Sequence, residues 1–381
     1  MSSLFVVAMR VLMLSKALVV GAYQRKLEEL AALPDVDLTV VVPPAWREGT
    51  TTLTLDRAYT HGYRLVVEPL RFNGRHHVHT YPGLGRRLDE ARPEIFHIDE
   101  EPYNLVTGHA LWLARRRGIP ALFFTWQNIL RQYPPPFRLI EQYSYRAARH
   151  ALAGNREAAD VLRAKGYRGN VSVIPQFGVD PEQFKPVARD GGGPFRIGYL
   201  GRWEPYKGVD LLLDAAGGLP GDWRVEVRGG GSAGDALRAQ AVRLGIADRV
   251  DFAPYAPSTD VPRYMARLDA LILPSRTTAS WKEQFGRVLI EAMASGVPVV
   301  GSDSGEIPNV IGDAGLIFPE GNALALRGHL TRLMADADLR RDLAARGRAR
   351  VLAHYTHAQI ARDTWGVYKA MLEAPSLAPI V

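Results

Sequence analysis

The sequence predicts an α/β protein built from two successive doubly wound units, and three observations carry that expectation. Short apolar runs rich in β-branched residues alternate with segments of helical period along almost the whole chain. The alternation pauses once, at residues 181–194 (PEQFKPVARDGGGP), where three Pro and three Gly occur without periodicity, the composition of a linker. The chain is 381 residues long, enough for two cores of roughly 150–200 residues each.

In order, RVLMLS, LTVVVP, YRLVVEP, EIFHID, ALFFT, HALAG and VSVIP read as strands of the first half. QRKLEELAAL and VTGHALWLARRRG read as helices between them. The strands are nearly continuous apolar runs, which suits a parallel sheet covered on both faces. After the linker, FRIGYLG, WRVEVRGG, RVDFAP, ALILPS and PVVGSDS are expected strands. VDLLLDAAGG, DALRAQAVRLG, VPRYMARLD, VLIEAMASG and a segment from about Ala323 are expected helices. The predicted boundaries are 1–185 and 186–356. Sheets of this kind bind ligands beyond the carboxyl ends of their strands, so a shared ligand is expected in a cleft reached by both sets.

The composition excludes several chemistries. With no Cys in the chain, disulfides, thiolate metal sites and cysteine nucleophiles are out. The apolar stretch Leu4 to Ala22 is interrupted by Arg10 and Lys16, short of the roughly 20 apolar residues that span a bilayer. It lacks the basic flank and small-residue cleavage site of a signal peptide. Met9-Arg10 reads as a natural start, with residues 1–8 as an upstream extension, and a cytoplasmic location is expected. The net charge of +7 is unevenly placed: residues 102–156 hold eight Arg and a single acid, Glu141. With Trp112, Trp126, Tyr133 and Phe137 interleaved, this stretch suits an anionic membrane surface or an acidic acceptor. Nothing suggests a nucleic-acid partner.

The strongest motif is EQFGRVLIEAMASGVPVV at 283–300. Gly286 at the mouth of a helix lets the backbone approach a ligand, and the amides of Gly286, Arg287 and Val288 then point at it with the positive end of the helix dipole. That arrangement cradles a diphosphate. Glu283, just before the helix, can accept hydrogen bonds from sugar hydroxyls. Glu291 lies two turns in, within reach of a ribose.

This segment resembles the Glu-x7-Glu signature of glycosyltransferase family 4, retaining enzymes of the GT-B fold with two Rossmann-like domains. YLGRWEPYKGVDLLLDA at 199–215 is similar to the family's second signature, in which Arg202 and Lys207 match the basic pair that holds the donor diphosphate. SDSGEIPNVIGDAGLIFPEGN and IPQFGVDPEQFKP resemble its flanking segments. The resemblance is close over about 170–375 and covers the first half in outline. It implies that a C-terminal helix at about 357–381 returns to the N-terminal domain, and that Gly201, Gly229 and Gly230 let the backbone near the nucleotide. It further implies that Phe285 and Tyr255 line the donor site and that Gly21 meets the donor phosphate. The implied activity is retaining transfer of a hexosyl-type sugar from a UDP- or GDP-sugar to a hydroxyl of a sugar, lipid-linked or small-molecule acceptor, without a metal cofactor.

One departure stands out. Where the family keeps a Thr-x-His step, this chain reads Thr125-Trp126-Gln127-Asn128. His97, ahead of Asp99, Glu100 and Glu101 at a strand end, is a candidate for the missing polar role, and the three acids with Gln127 and Asn128 are acceptor-side candidates. Two alternatives share the architecture: a sugar-nucleotide epimerase, and a catalytically silent nucleotide-sugar-binding protein.

Overall fold

A computed structural model of the chain describes residues 8–49, 51–187, 192–255 and 259–373. Most of the expected upstream extension, the middle of the linker at 188–191 and the tail after Glu373 lie outside them. The chain divides into two compact units. One runs to Phe177 and takes back the chain from His357; the other is Gly178–Thr356.

The first unit holds β1 (Met9–Leu14), α1 (Arg25–Ala31), β2 (Val36–Val42), a hairpin of β3 (Ala45–Glu48) and β4 (Thr51–Thr54), and β5 (Arg64–Val67). There follow α2 (Leu84–Ala91), β6 (Ile95–Ile98), α3 (Leu105–Arg116), β7 (Ala121–Thr125), α4 (Phe137–Ala147), β8 (His150–Ala153), α5 (Arg156–Ala164) and β9 (Asn170–Val173). Seven strands form a parallel sheet in the order β5-β2-β1-β6-β7-β8-β9. The direction of strand addition reverses between β1 and β6, which opens a crevice at their carboxyl ends. The β3–β4 hairpin escapes a reading by hydrophobic pattern because its strands, AWRE and TTLT, are four residues each and largely polar.

The second unit holds β10 (Phe195–Arg202), α6 (Val209–Ala216), β11 (Trp223–Gly230), α7 (Gly234–Arg243), β12 (Val250–Ala253), α8 (Val261–Ala266), β13 (Ala270–Leu273), α9 (Arg287–Ala294) and β14 (Val299–Ser302). It closes with α10 (Ile307–Ile311), β15 (Leu316–Phe318), α11 (Ala323–Ala335) and α12 (Ala337–His354). Its sheet runs β12-β11-β10-β13-β14-β15, all parallel, and reverses between β10 and β13. Residues after Phe177 go with this unit. Val179 N–H donates to Tyr355 O at 2.9 Å, and Arg348 Nη1 donates to Phe184 O at 3.2 Å. The boundary thus falls ahead of 185/186, because backbone pairing ties down chain that composition alone marks as linker.

The last helix, α13 (His357–Glu373), belongs to the first unit. Ile360, Ala361, Val367, Tyr368 and Met371 enter the same apolar cluster as Val11 and Met13 of β1 and Leu38 and Val40 of β2. Trp365 Nε1 donates to Asp35 Oδ1 at 2.7 Å. Burying such a row of side chains is worth roughly 1.5–3 kcal/mol each, which explains why the chain crosses back.

Candidate functional site

In the second unit the candidate residues gather at the reversal between β10 and β13. Arg202 ends β10, and a single 3-10 turn, Pro205–Lys207, follows. Lys207 Nζ lies 2.7 Å from Glu283 Oε2, and Ser275 Oγ, just past β13, donates to the same oxygen at 2.8 Å. Glu283 is buried, so its charge needs these partners. Gly286 starts α9 at φ 75°, a left-handed conformation costly for any residue with a Cβ. The first-turn amides of a helix lack intrahelical acceptors, which makes such a start a natural anion site.

Glu291 is buried one turn inside α9, and Arg287 Nε reaches its Oε1 at 3.0 Å. Burial pushes its carboxyl above the usual range, with Arg287 opposing. The side chain of Phe285 is buried, edge-on to Tyr355 with ring centroids 5.8 Å apart. Val288 is half-buried.

Gly201 and Gly229 are register partners, as are Arg202 and Gly230. A Cβ on Gly229 would come within 1.8 Å of the Gly201 carbonyl oxygen, so this glycine is required by the approach of two strand ends. Tyr255, beyond β12, is 52% exposed. Ser275, Tyr206 and Trp281 also belong to this group and were not anticipated. Ser275 could have been found as the end of the strand at the reversal.

In the first unit the reversal between β1 and β6 brings Ser15 and Lys16 beside the three acids. Asp99 Oδ2 accepts from Ser15 Oγ at 2.7 Å and from Gln176 Nε2 at 3.0 Å. Lys16 Nζ pairs with Glu100 Oε2, and His79 Nε2 stands 3.6 Å from Oε1. Burial alone would raise the Glu100 carboxyl, but Lys16 and His79 prevail and hold it down at about 2. Glu101 accepts from Thr125 Oγ1 at 2.6 Å and from Trp126 N–H at 2.8 Å. Burial pushes its carboxyl up to about 7 against those two bonds.

The expected acceptor-side residues have partners within the unit. Glu100 and Glu101 are engaged in closing the loops after β1 and β7, because a buried carboxylate must find donors inside the fold. Gln127 and Asn128 are buried too, with Lys165 Nζ donating to Gln127 Oε1 at 3.3 Å and Asn128 Nδ2 donating to Glu157 Oε2 at 3.3 Å. His97 is 1% exposed and its Nδ1 lies 2.6 Å from Tyr368 Oη on α13. Burial lowers its ring to about 3, so it is a neutral core histidine holding a helix, not a polar group facing a ligand. Gly21 is buried in the turn Gly21–Tyr23 with the Asp56 carboxylate packed where a side chain would stand; its geometry is that of a packing glycine.

Two parallel-sheet units, each with polar groups at its strand-order reversal, define the class: an α/β protein of two Rossmann-like domains. Residues 180–350 match the family of glycosyl transferases group 1, and residues 20–176 match the glycosyl transferase 4-like domain. Each half of the chain thus matches a glycosyltransferase domain model, and the two units have the GT-B fold.

Curated relatives include D-inositol 3-phosphate glycosyltransferases. That of Mycobacterium tuberculosis is 30% identical over 299 residues, covering 72% of this chain and 60% of the relative. That of Streptomyces bingchenggensis is 28% identical over 289 residues, covering 67% and 62%. The chain therefore spans about three-fifths of the length of these relatives. Among solved structures, sucrose-phosphate synthase from Thermosynechococcus elongatus superposes with a TM-score of 0.72 at 19% identity, covering 96% of this chain and 100% of that one. Anabaena HepE in complex with UDP and glucose gives 0.70 at 19% identity, covering 95% and 100%. At such identities the likeness establishes the fold.

Proposed function

We propose that the chain is a retaining glycosyltransferase of family 4 type that takes a hexosyl-type sugar from a nucleoside-diphosphate donor bound by the second unit. The observation that carries this reading is the Lys207–Glu283–Ser275 cluster beside the Gly286-started helix at the strand reversal. Departure of the nucleoside diphosphate is the step that needs charge stabilisation, and Arg202, Lys207 and the first-turn amides of α9 supply it without a metal. Glu283 binds sugar hydroxyls and Glu291 the ribose. The acceptor hydroxyl attacks on the face from which the diphosphate leaves; the new glycosidic bond forms as the sugar–phosphate bond breaks, and the hydroxyl proton passes to the departing phosphate. The UDP in the HepE complex supports a UDP-sugar. The relatives' names support a polyhydroxylated acceptor such as a cyclitol phosphate, taken up by the first unit.

The first unit also presents a surface suited to an anionic bilayer. On the packed pair α3 and α4, Trp112 is 44% and Leu139 59% exposed, among exposed Arg115, Arg116, Arg138 and Arg146. The Arg116 guanidinium lies 4.9 Å over the Trp112 ring. Exposed apolar side chains on helices that also carry exposed Arg favour peripheral binding to an anionic surface. Among the described residues no helix is long and apolar enough to cross a membrane.

The test is a thermal-shift screen with nucleoside diphosphates, followed by incubation of the stabilising nucleotide's sugar conjugates with sugar and cyclitol-phosphate acceptors. Stabilisation by a nucleoside diphosphate and an α-linked product from an α-linked donor are expected. No stabilisation by any nucleotide overturns the reading.

A further inference from the structure

We propose that Tyr206 and Trp281 are positioning residues that hold Arg202 and Lys207 in place for the donor diphosphate; this rests on reading the second unit as the donor domain. Tyr206 sits in the turn Pro205–Lys207, and Trp281 lies two residues ahead of Glu283 on the loop after β13. Their rings lean together with centroids 4.4 Å apart and planes at 39°. Each ring carries one of the two cations. Lys207 Nζ is 4.4 Å from the Trp281 centroid, and the Arg202 guanidinium carbon is 5.8 Å from that of Tyr206.

The pair is itself held. Arg276, at the start of the Trp281 loop, donates its N–H to Tyr206 O at 2.7 Å. Its guanidinium grips Asp210 at the start of α6 through two bonds of 2.8 Å. Thr278 closes the loop, its N–H donating to Trp281 O at 2.7 Å and its Oγ1 accepting from Trp281 N–H at 3.0 Å. The backbone that carries both rings is therefore anchored within the unit, and the rings lean on each other, which is what allows them to preorganise a charge.

The need for such a hold follows from Glu283. Its carboxylate pairs with Lys207, yet the same carboxylate is the group that binds sugar hydroxyls. A lysine steadied by a carboxylate alone has its charge neutralised and loses its anchor when that carboxylate turns to a sugar. An aromatic face attracts the ammonium without cancelling its charge, so Lys207 stays aimed and cationic. Tyr206 does the same for Arg202, whose planar head stacks on rings more readily than an ammonium does.

The two cations act on the second phosphate of the donor, so the readout is the preference for a diphosphate over a monophosphate. Calorimetry with UDP and UMP, and with GDP and GMP, is run on the wild type and on Trp281→Ala, Trp281→Phe and Tyr206→Leu, with unfolding midpoints measured alongside. The wild type is expected to favour one diphosphate over its monophosphate. Trp281→Ala should shrink that ratio roughly tenfold with monophosphate affinity unchanged, Trp281→Phe should restore most of it, and Tyr206→Leu should shrink it less. Equal weakening of both nucleotides, or an unchanged ratio in Trp281→Ala and Tyr206→Leu, overturns the inference and leaves the donor reading standing. A wild type that binds none of the four nucleotides overturns the donor reading and this inference with it.

Discussion

His97 Nδ1 and Tyr368 Oη, 271 positions apart in the chain, share a hydrogen bond of 2.6 Å inside the first unit. The bond joins the central strand β6 to the returning helix α13, and burial holds the ring neutral, its pKa lowered to about 3. Tyr368→Phe leaves a buried ring nitrogen without its partner and should cost about 1–3 kcal/mol of stability. The pH dependence has a definite sign. A depressed folded-state pKa means that the contribution of His97 is intact above its ordinary 6.5 and is lost as the pH falls toward about 3. Denaturant titrations of wild type and Tyr368→Phe at several pH values check both; an unaltered midpoint in the variant contradicts the first.

The two signature carboxylates should fail differently. Glu283→Gln keeps shape but loses the charge proposed to bind sugar hydroxyls, so transfer should fall about a hundredfold or more while nucleoside diphosphate affinity holds or tightens, Lys207 no longer being shared. Glu291→Ala should weaken the nucleotide itself by about 1–3 kcal/mol, the worth of a charged hydrogen bond. Titration calorimetry with nucleotide alone, beside a transfer assay, separates the two. Equal weakening in both variants means the roles are misassigned.

Glu101 is a carboxyl held up at about 7 by burial. Because its folded-state value lies above the ordinary 4.5, stability from the protonated form is complete below 4.5 and is lost as the pH climbs to about 7. Glu101→Gln removes the titration, keeps an acceptor for Trp126 N–H, and should flatten the stability profile across that window. Parallel profiles for variant and wild type would show that Glu101 does not titrate there.

Transfer should survive chelation. In the proposed reading Arg202 and Lys207 provide the diphosphate charge. Of the two Asp-x-Asp matches, Asp35–Asp37 runs into β2 in the other unit, and Asp336–Asp338 starts α12, where the Asp336 side chain caps the helix by accepting from Leu339 N–H. Activity in EDTA equal to that with added manganese or magnesium is the expected result, and loss in EDTA with recovery on metal addition rejects it.

Vesicles containing anionic lipid should carry the protein upward in flotation at low salt, and charge reversal of Arg115 and Arg116 together with Trp112→Ala should abolish this. Absence of wild-type binding at low salt removes the membrane surface from consideration.

Much of this was legible in the chain itself. Strand runs such as LTVVVP and helices such as VLIEAMASG are local hydrophobic patterns, and periodicity reports them directly. The Glu283 to Glu291 spacing, Gly286 and the Arg202–Lys207 step are short-range arrangements too, so the residues proposed to hold the donor could be listed before any coordinate. What a polar side chain bonds to is a different kind of fact. His97 and the acids at 99–101 look like cleft residues in sequence because they end a strand. Only the return of α13, which brings Tyr368 over β6, and the folding of Lys16, His79 and Thr125 onto the carboxylates decide that they serve the interior. The Tyr206–Trp281 pair was hidden for the same reason: 75 positions separate the two rings, and it is the strand reversal between β10 and β13 that lays them together. Local pattern is set by neighbours in the chain. Burial and partnership are set by neighbours in space, which tertiary packing alone supplies.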